Sequence, residues 1–358
     1  MIRIKKLDGL RGLFCLMVVL YHYDHKYLPS TFYNNFLIRE SDLIVDFFFI
    51  LSGFVISYKY NSIHTFNSFY TFIKKRFIRI YPLLLYTTFI FYIFELVARL
   101  FFQQYINTPI TLMHLFKNVL DTLCMTNSTP ILSSEWGINR PSWSISAEFI
   151  SYFFFGIVSI VAAQKRKDMT ILLIFLSCVI LCIYFDSAGL RTNANMGFIR
   201  CIISFNVGYF IFKFSNTNFK INNWIKPFLI FVTIMLLYFN HYFFKLYSFA
   251  LYFEVLILPI IFGLIIFTLL KKDGFFSQIL ESTLFQFLGK ISFSIYLNHA
   301  IILLFLPKFI FAVTKIAKSN FNELAVWLTT IIIVIIYSTI TQKYIEQKSS
   351  TFLKKHLL

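Results

Sequence analysis

Charged residues are scarce in this chain, at 14% of 358 positions, and acidic ones are scarcer still, with 16 Asp and Glu against 33 Lys and Arg. Ordinary soluble domains are about 25% charged and about 45–50% apolar. This chain is 58% hydrophobic with a mean hydropathy of +0.72. So little charge excludes a typical soluble domain. Cysteine is also sparse: Cys15, Cys124, Cys178, Cys182 and Cys201 show neither metal-ligand spacing nor a secreted disulfide framework. Cys178 and Cys182 share a helical face and read as a packed pair of small residues. No Gly/Ser-rich linker, heptad run or internal repeat divides the chain, so 1–358 reads as a single transmembrane domain. The opening MIRIKK and its apolar run imitate a signal peptide. The following YHYDHKYLPS lacks a small-residue cleavage site, so the segment reads as a retained helix.

What the sequence does have is a series of apolar runs of about 17–25 residues, the length that crosses a ~30 Å hydrocarbon core. We read ten, at roughly 8–25, 42–60, 79–102, 143–163, 169–186, 196–214, 224–240, 247–270, 291–313 and 323–342. Between them, 103–142 reads as an extracytoplasmic or re-entrant segment, because LMHLFKNVLDTLCM is amphipathic and interrupted by polar residues. The stretch 275–289 has the same character on the opposite side. A net charge of +17 would point a soluble chain toward nucleic acid. Here most Lys and Arg fall in short segments between apolar runs, and on this map they gather on the side of the N-terminus. That is a topology signal. The expectation is an all-α, polytopic helical bundle in the cell's inner (cytoplasmic) membrane with both termini cytoplasmic. Its partner is the lipid bilayer and not nucleic acid.

Ionisable side chains inside the bilayer are functional candidates, since each costs at least ~2–3 kcal/mol at the centre of a helix. LDGLRGLFCLMVVLYHY carries two of them, Arg11 and His22. They lie ~20° apart in azimuth and ~16 Å apart along the axis, one face of one helix. Counting depth from the outer side, Glu148 in PSWSISAEFISYFFF reaches nearly the same level as His22. A carboxylate beside an imidazole fixes its tautomer and raises its basicity, so His22 and Glu148 are the candidate catalytic pair. The run FIKKRFIRIYP brings Lys75, Arg76 and Arg79 to the level of Arg11. Such a cluster is either a topological anchor or a clamp for phosphate oxygens. Asp46, Arg200, Tyr296, Asn298 and His299 complete the intramembrane polar set, with Arg200 open to pairing with Asp46 or Glu148. Helix-packing hydrogen bonds account for such groups as readily as chemistry does.

In order along the chain, LDGLRG with its YH, DFFFILSGF, RFIRIYP, WSISAEF and ISFSIYLNH resemble the motifs of acyltransferase family 3, over essentially the whole length. The resemblance implies about ten helices and transfer of an acyl group, commonly acetyl from acetyl-CoA. The acceptors it implies are hydroxyls of surface glycans and related molecules, including lipid-linked saccharides. It implies catalysis by His22 on the Arg-x10-His pattern that begins at Arg11. It also associates Arg76 and Arg79, on the Arg-x-x-Arg pattern, with the donor. Trp143, Ser144 and Glu148 match Trp-Ser-x-x-x-Glu, although Phe149-Ile150-Ser151-Tyr152 follow where a second acidic residue is frequent in relatives. The expected assignments are therefore His22 and Glu148 in catalysis and Arg11, Lys75, Arg76 and Arg79 in acyl-CoA binding. Trp143, Ser144, Asp46, Tyr296 and His299 are assigned to the acceptor, and no metal is expected. Relatives often carry an extra helix and an extracytoplasmic hydrolase-like domain, so a separate extracytoplasmic acyl-accepting protein is a further candidate partner. The competing class is a transporter or channel in which the buried charges form a solute or proton pathway. The inverted repeats and paired broken helices common in transporters are not visible in the sequence.

Overall fold

The computed structural model describes residues 4–60, 63–101, 111–132, 136–162, 166–187, 196–243, 253–271 and 273–358. These residues form helices and turns, with no strand among them. The principal helices are α1 (Lys5–Tyr21), α2 (Val45–Lys59), α3 (Phe66–Phe101), α4 (Leu112–Leu123), α5 (Trp143–Val161) and α6 (Lys167–Ser187). They continue with α7 (Gly197–Ser215), α8 (Ile225–Tyr242), α9 (Leu258–Lys271), α10 (Thr283–Thr314), α11 (Asn320–Thr341) and α12 (Lys348–Leu357). Among the described residues, 9 helical stretches are long and apolar enough to cross a membrane. The 17-residue α1 joins them in the bundle at ~26 Å long. The protein is a polytopic helical membrane bundle.

Two helices run well beyond the apolar segments that announce them. α3 has 36 residues, so FIKKRFIRIYP lies inside a continuous helix and not at its entrance. α10 has 32 residues and begins at Thr283, absorbing much of the stretch expected to be a separate interfacial element. Only Phe275–Leu280 stands apart there, as a short helix. The reason is that Lys, Arg, Gln and Glu are good helix formers. Loss of hydropathy marks where a chain leaves hydrocarbon and need not mark where its helix ends.

The segment 103–142 is described at 111–132 and 136–142; residues 102–110 and 133–135 lie outside the described set. Its described part folds back onto the bundle. Asn139 is fully buried and donates to the Leu297 carbonyl of α10 at 3.1 Å, while Asn127 donates to the Ser142 hydroxyl at 2.8 Å. These bonds fix the start of α5 against α10.

Helix contact is most extensive between α2 and α7 and between α1 and α10. The first crossing is a backbone-to-backbone approach. A Cβ on Gly53 would strike the Phe205 carbonyl, and one on Gly208 would strike the Ile50 carbonyl. Small residues at such crossings are what allow helices in lipid to approach closely. No disulfide joins the five cysteines, and Cys178 and Cys182 are buried beside Ile199 and Ile202.

Candidate functional site

A cavity of about 390 Å³ is walled by α1, α2, α3, α5 and α10. Arg11, Lys59, Arg76 and Arg79 line its basic end, and Ser144, Glu148, Tyr152 and Tyr296 line its interior. Helical geometry explains the first group, because positions i and i+3 share a helix face and so Arg76 and Arg79 reach the same wall. Lys75 is one position earlier, ~100° around the helix. It is exposed and is not part of the wall.

The arginines differ in how they are held. Arg11 is tied to α10: its Nε donates to the Ser292 hydroxyl at 3.0 Å and its Nη2 to the Gly289 carbonyl at 3.3 Å. Arg79 is exposed. Arg76 is only 6% exposed, yet it donates only one hydrogen bond among the described residues, from Nη2 to the Tyr60 hydroxyl at 3.1 Å. Its guanidinium lies over the rings of Tyr60 and Tyr152 at 5.0 and 5.9 Å, and its buried Nε has no partner among the described residues. Aromatic faces stabilise a cation without using its donors. Arg76 thus keeps hydrogen-bonding capacity at the cavity wall.

Deeper in, hydroxyls knit the wall together. Tyr152 donates to Glu148 at 2.5 Å and shares a 2.9 Å hydrogen bond with Ser52. Tyr296 donates to the Pro141 carbonyl at 3.1 Å and shares a 2.7 Å hydrogen bond with Ser144. Ser144 and Tyr296 are thus joined side by side in the cavity wall.

His22 lies outside that wall. It caps α1 and is exposed, with its Nδ1 2.9 Å from the Val18 carbonyl. A carbonyl can only accept, so Nδ1 carries the proton and Nε2 presents a lone pair. Its ring packs 5.0 Å from Tyr21 and 5.0 Å from His299. The expected bond between His22 and Glu148 is not formed: Glu148 faces the cavity and holds Tyr152. Equal depth along the membrane normal gives no information about separation in the membrane plane. The backbone of α1 supplies the orienting group that a carboxylate was expected to supply.

Burial describes two further residues expected at the acceptor site. Asp46 is fully buried and accepts a 2.7 Å ion pair from Arg200 as well as a 2.9 Å hydrogen bond from Ser204, which ties α2 to α7. Trp143 is 7% exposed and packs edge-on against Phe49 at 6.0 Å and Trp136 at 6.3 Å. Both are buried and engaged in contacts between helices. His299 is likewise fully buried, behind Tyr296. Sequence reading missed Tyr60, Tyr152 and Ser292. Tyr152 had a usable signal, its i+4 position after Glu148. Tyr60 and Ser292 are brought in by tertiary packing alone.

In comparison with known proteins, the family model described as acyltransferase domain, acyltransferase family 3, matches residues 4–342. No curated protein and no solved structure matches the chain.

Proposed function

Since the chain belongs to this family of acyltransferases, we propose that it moves an acetyl or other short acyl group from cytoplasmic acyl-CoA to a hydroxyl of an extracytoplasmic or lipid-linked glycan, in the cell's inner membrane. One observation carries the reading: a single cavity joins a cationic end, where Arg76 retains free donor capacity, to a hydroxyl-lined interior. Its volume of about 390 Å³ is within the range of small-molecule sites, about 300–1,000 Å³.

Arg76, Arg79 and Arg11 bind the phosphates of the donor. Guanidiniums match phosphate oxygens bidentately, and a hydrogen bond to a charged group is worth about 1.5–3 kcal/mol. The acyl-bearing arm extends past Glu148 and Tyr152 toward Tyr296. These groups offer both donors and acceptors to its amides. His22 acts at the other end. Its Nδ1 is committed to Val18, so Nε2 is the nitrogen that takes the proton from the acceptor hydroxyl or itself attacks the thioester carbonyl. The bond between Tyr296 and Ser144 stands between the two ends and opens for the acyl group to pass.

The experiment is acetyl-CoA turnover by the purified protein in detergent, with no ion gradient, followed by release of free CoA in the presence of glycan acceptors. Wild type is expected to release CoA. His22→Ala is expected to lose ~10²–10⁴-fold in rate, the usual contribution of a positioned base, while still binding donor. Folded wild-type protein that neither binds nor turns over acyl-CoA would contradict the reading and favour a transport pathway.

A further inference from the structure

The short helical turn before α5 holds a cation that the function proposed above leaves unused. Arg140 begins that turn, Arg140–Ser142, and is exposed. Among the described residues it makes no hydrogen bond or ion pair. The N–H donors of its guanidinium are therefore open to a ligand.

The residues on either side of Arg140 are fixed to α10. Asn139 donates to the Leu297 carbonyl at 3.1 Å, and the Pro141 carbonyl accepts from Tyr296 at 3.1 Å. The Ser144 hydroxyl lies 3.2 Å from that same carbonyl, which adds α5 to the anchor. Tyr296 and Ser144 both line the cavity. One turn further along α10, the His299 ring packs 5.0 Å from that of His22. His22 in turn lies within electrostatic reach of Arg140. The Arg140 turn thus joins the cavity wall to the surroundings of His22.

That is where the acyl carbon has to arrive. In acyl transfer the attacking oxygen and the leaving sulfur bond to one carbon, so the thioester must reach the hydroxyl that His22 serves. Its carbonyl oxygen becomes an anion there, and stabilising such an anion is usually the largest single contribution to catalysis. At the same moment His22 carries the hydroxyl's proton. A second cation nearby raises the energy of that charge unless an anion forms between them. The tetrahedral oxyanion is such an anion.

We propose that Arg140 binds the carbonyl oxygen of the donor's acyl group and stabilises the oxyanion it becomes. This rests on the reading of the protein as an acyl-CoA-dependent transferase. The acceptor O–H bond breaks, its proton goes to His22 Nε2, and the oxygen bonds to the acyl carbon. The carbonyl π pair moves onto its oxygen, to which the Arg140 guanidinium donates. The pair then returns and the carbon–sulfur bond breaks. Sulfur leaves with the bonding electrons and takes the proton from His22. The products are the acyl ester and free CoA thiol, with His22 and Arg140 as they began.

The test is Arg140→Ala in the full chain, with acetyl-CoA as donor and two acceptors compared, a glycan and water. An oxyanion group acts on the acyl carbonyl whatever attacks it. Transfer and hydrolysis are therefore both expected to fall by ~10²–10³-fold in kcat. Donor affinity and melting temperature are expected to be unchanged. Guanidinium ion at a non-denaturing concentration is expected to restore part of kcat, which a structural role would not allow. Near-wild-type rates in folded Arg140→Ala overturn the proposal. So does a loss confined to glycan transfer with hydrolysis intact, which would assign Arg140 to acceptor binding. A loss that comes with a lowered melting temperature and no rescue overturns it as well. Arg140→Gln, which removes the charge and keeps most of the length, is read the same way should Arg140→Ala not fold. Folded wild-type protein that neither binds nor turns over acyl-CoA is a separate result: it defeats the acyl-CoA reading itself, and this proposal falls with it.

Discussion

Two buried arginines in this bundle, Arg200 and Arg76, have opposite fates. Arg200 is 4% exposed and meets both oxygens of Asp46, through Nε at 3.1 and 3.1 Å and Nη2 at 2.7 Å, with Ser204 completing the carboxylate's shell. Arg76 is 6% exposed and, among the described residues, has only a phenol hydroxyl as a hydrogen-bond acceptor, two aromatic faces, and an unpartnered Nε. A charge in low dielectric is stable only when paired and hydrogen-bonded. The first arginine satisfies that rule within the fold. The second has no ion pair within hydrogen-bonding distance among the described residues, and on the function proposed above the donor's phosphates supply it. The difference separates a structural ion pair from a binding group better than the identity of the residue does.

The largest effect that could break this comparison is the loss of Arg200. Arg200→Ala leaves Asp46 as an unpaired buried charge and is expected to destabilise the protein by about 3–5 kcal/mol. Thermal unfolding in detergent measures it, and Asp46→Ala together with Arg200→Ala is expected to be less destabilised than either single variant. Equal melting temperatures for wild type and Arg200→Ala would mean that the pair holds nothing together.

Trp143 sharpens the same distinction for an aromatic residue. Trp143→Ala is expected to cost about 3–5 kcal/mol of stability, as for other buried Trp residues. Among folded molecules its acceptor KM is expected to be unchanged. A normal melting temperature with a raised acceptor KM would restore this residue to the acceptor site. The smallest expected effect is at Lys75. Exposed and off the cavity wall, Lys75→Ala should change donor affinity by no more than about 0.5 kcal/mol, the scale of surface substitutions. A tenfold loss would place it in the clamp.

Much of the bundle was legible in the sequence, because in a bilayer length and hydropathy are nearly sufficient to define a spanning helix. The facing of Arg11 and the shared face of Arg76 and Arg79 follow from helical periodicity. Choice of partner does not. Asp46 and Glu148 were both open to Arg200, and only the packing of α2 on α7 gives that arginine to Asp46. His22 and Glu148 were matched by depth, a single coordinate, while contact requires three. Trp143 was placed at the acceptor on its motif, and its packing against Trp136 comes from a segment whose course the motif does not show. Lys75 was grouped with Arg76 by adjacency in sequence, which on a helix means a different face. The nitrogens of Arg76 and His299 that lack partners among the described residues have no sequence signature, since both depend on what the neighbouring described helices offer.

The most direct measurement is a calorimetric titration of acetyl-CoA into wild type, His22→Ala, and the double variant Arg76→Ala with Arg79→Ala. The account predicts binding to wild type, equal binding to His22→Ala, and a loss of roughly 10- to 100-fold in the arginine variant, the equivalent of about one charged hydrogen bond. Unchanged binding in a folded arginine variant, or no binding by folded wild type, would contradict it.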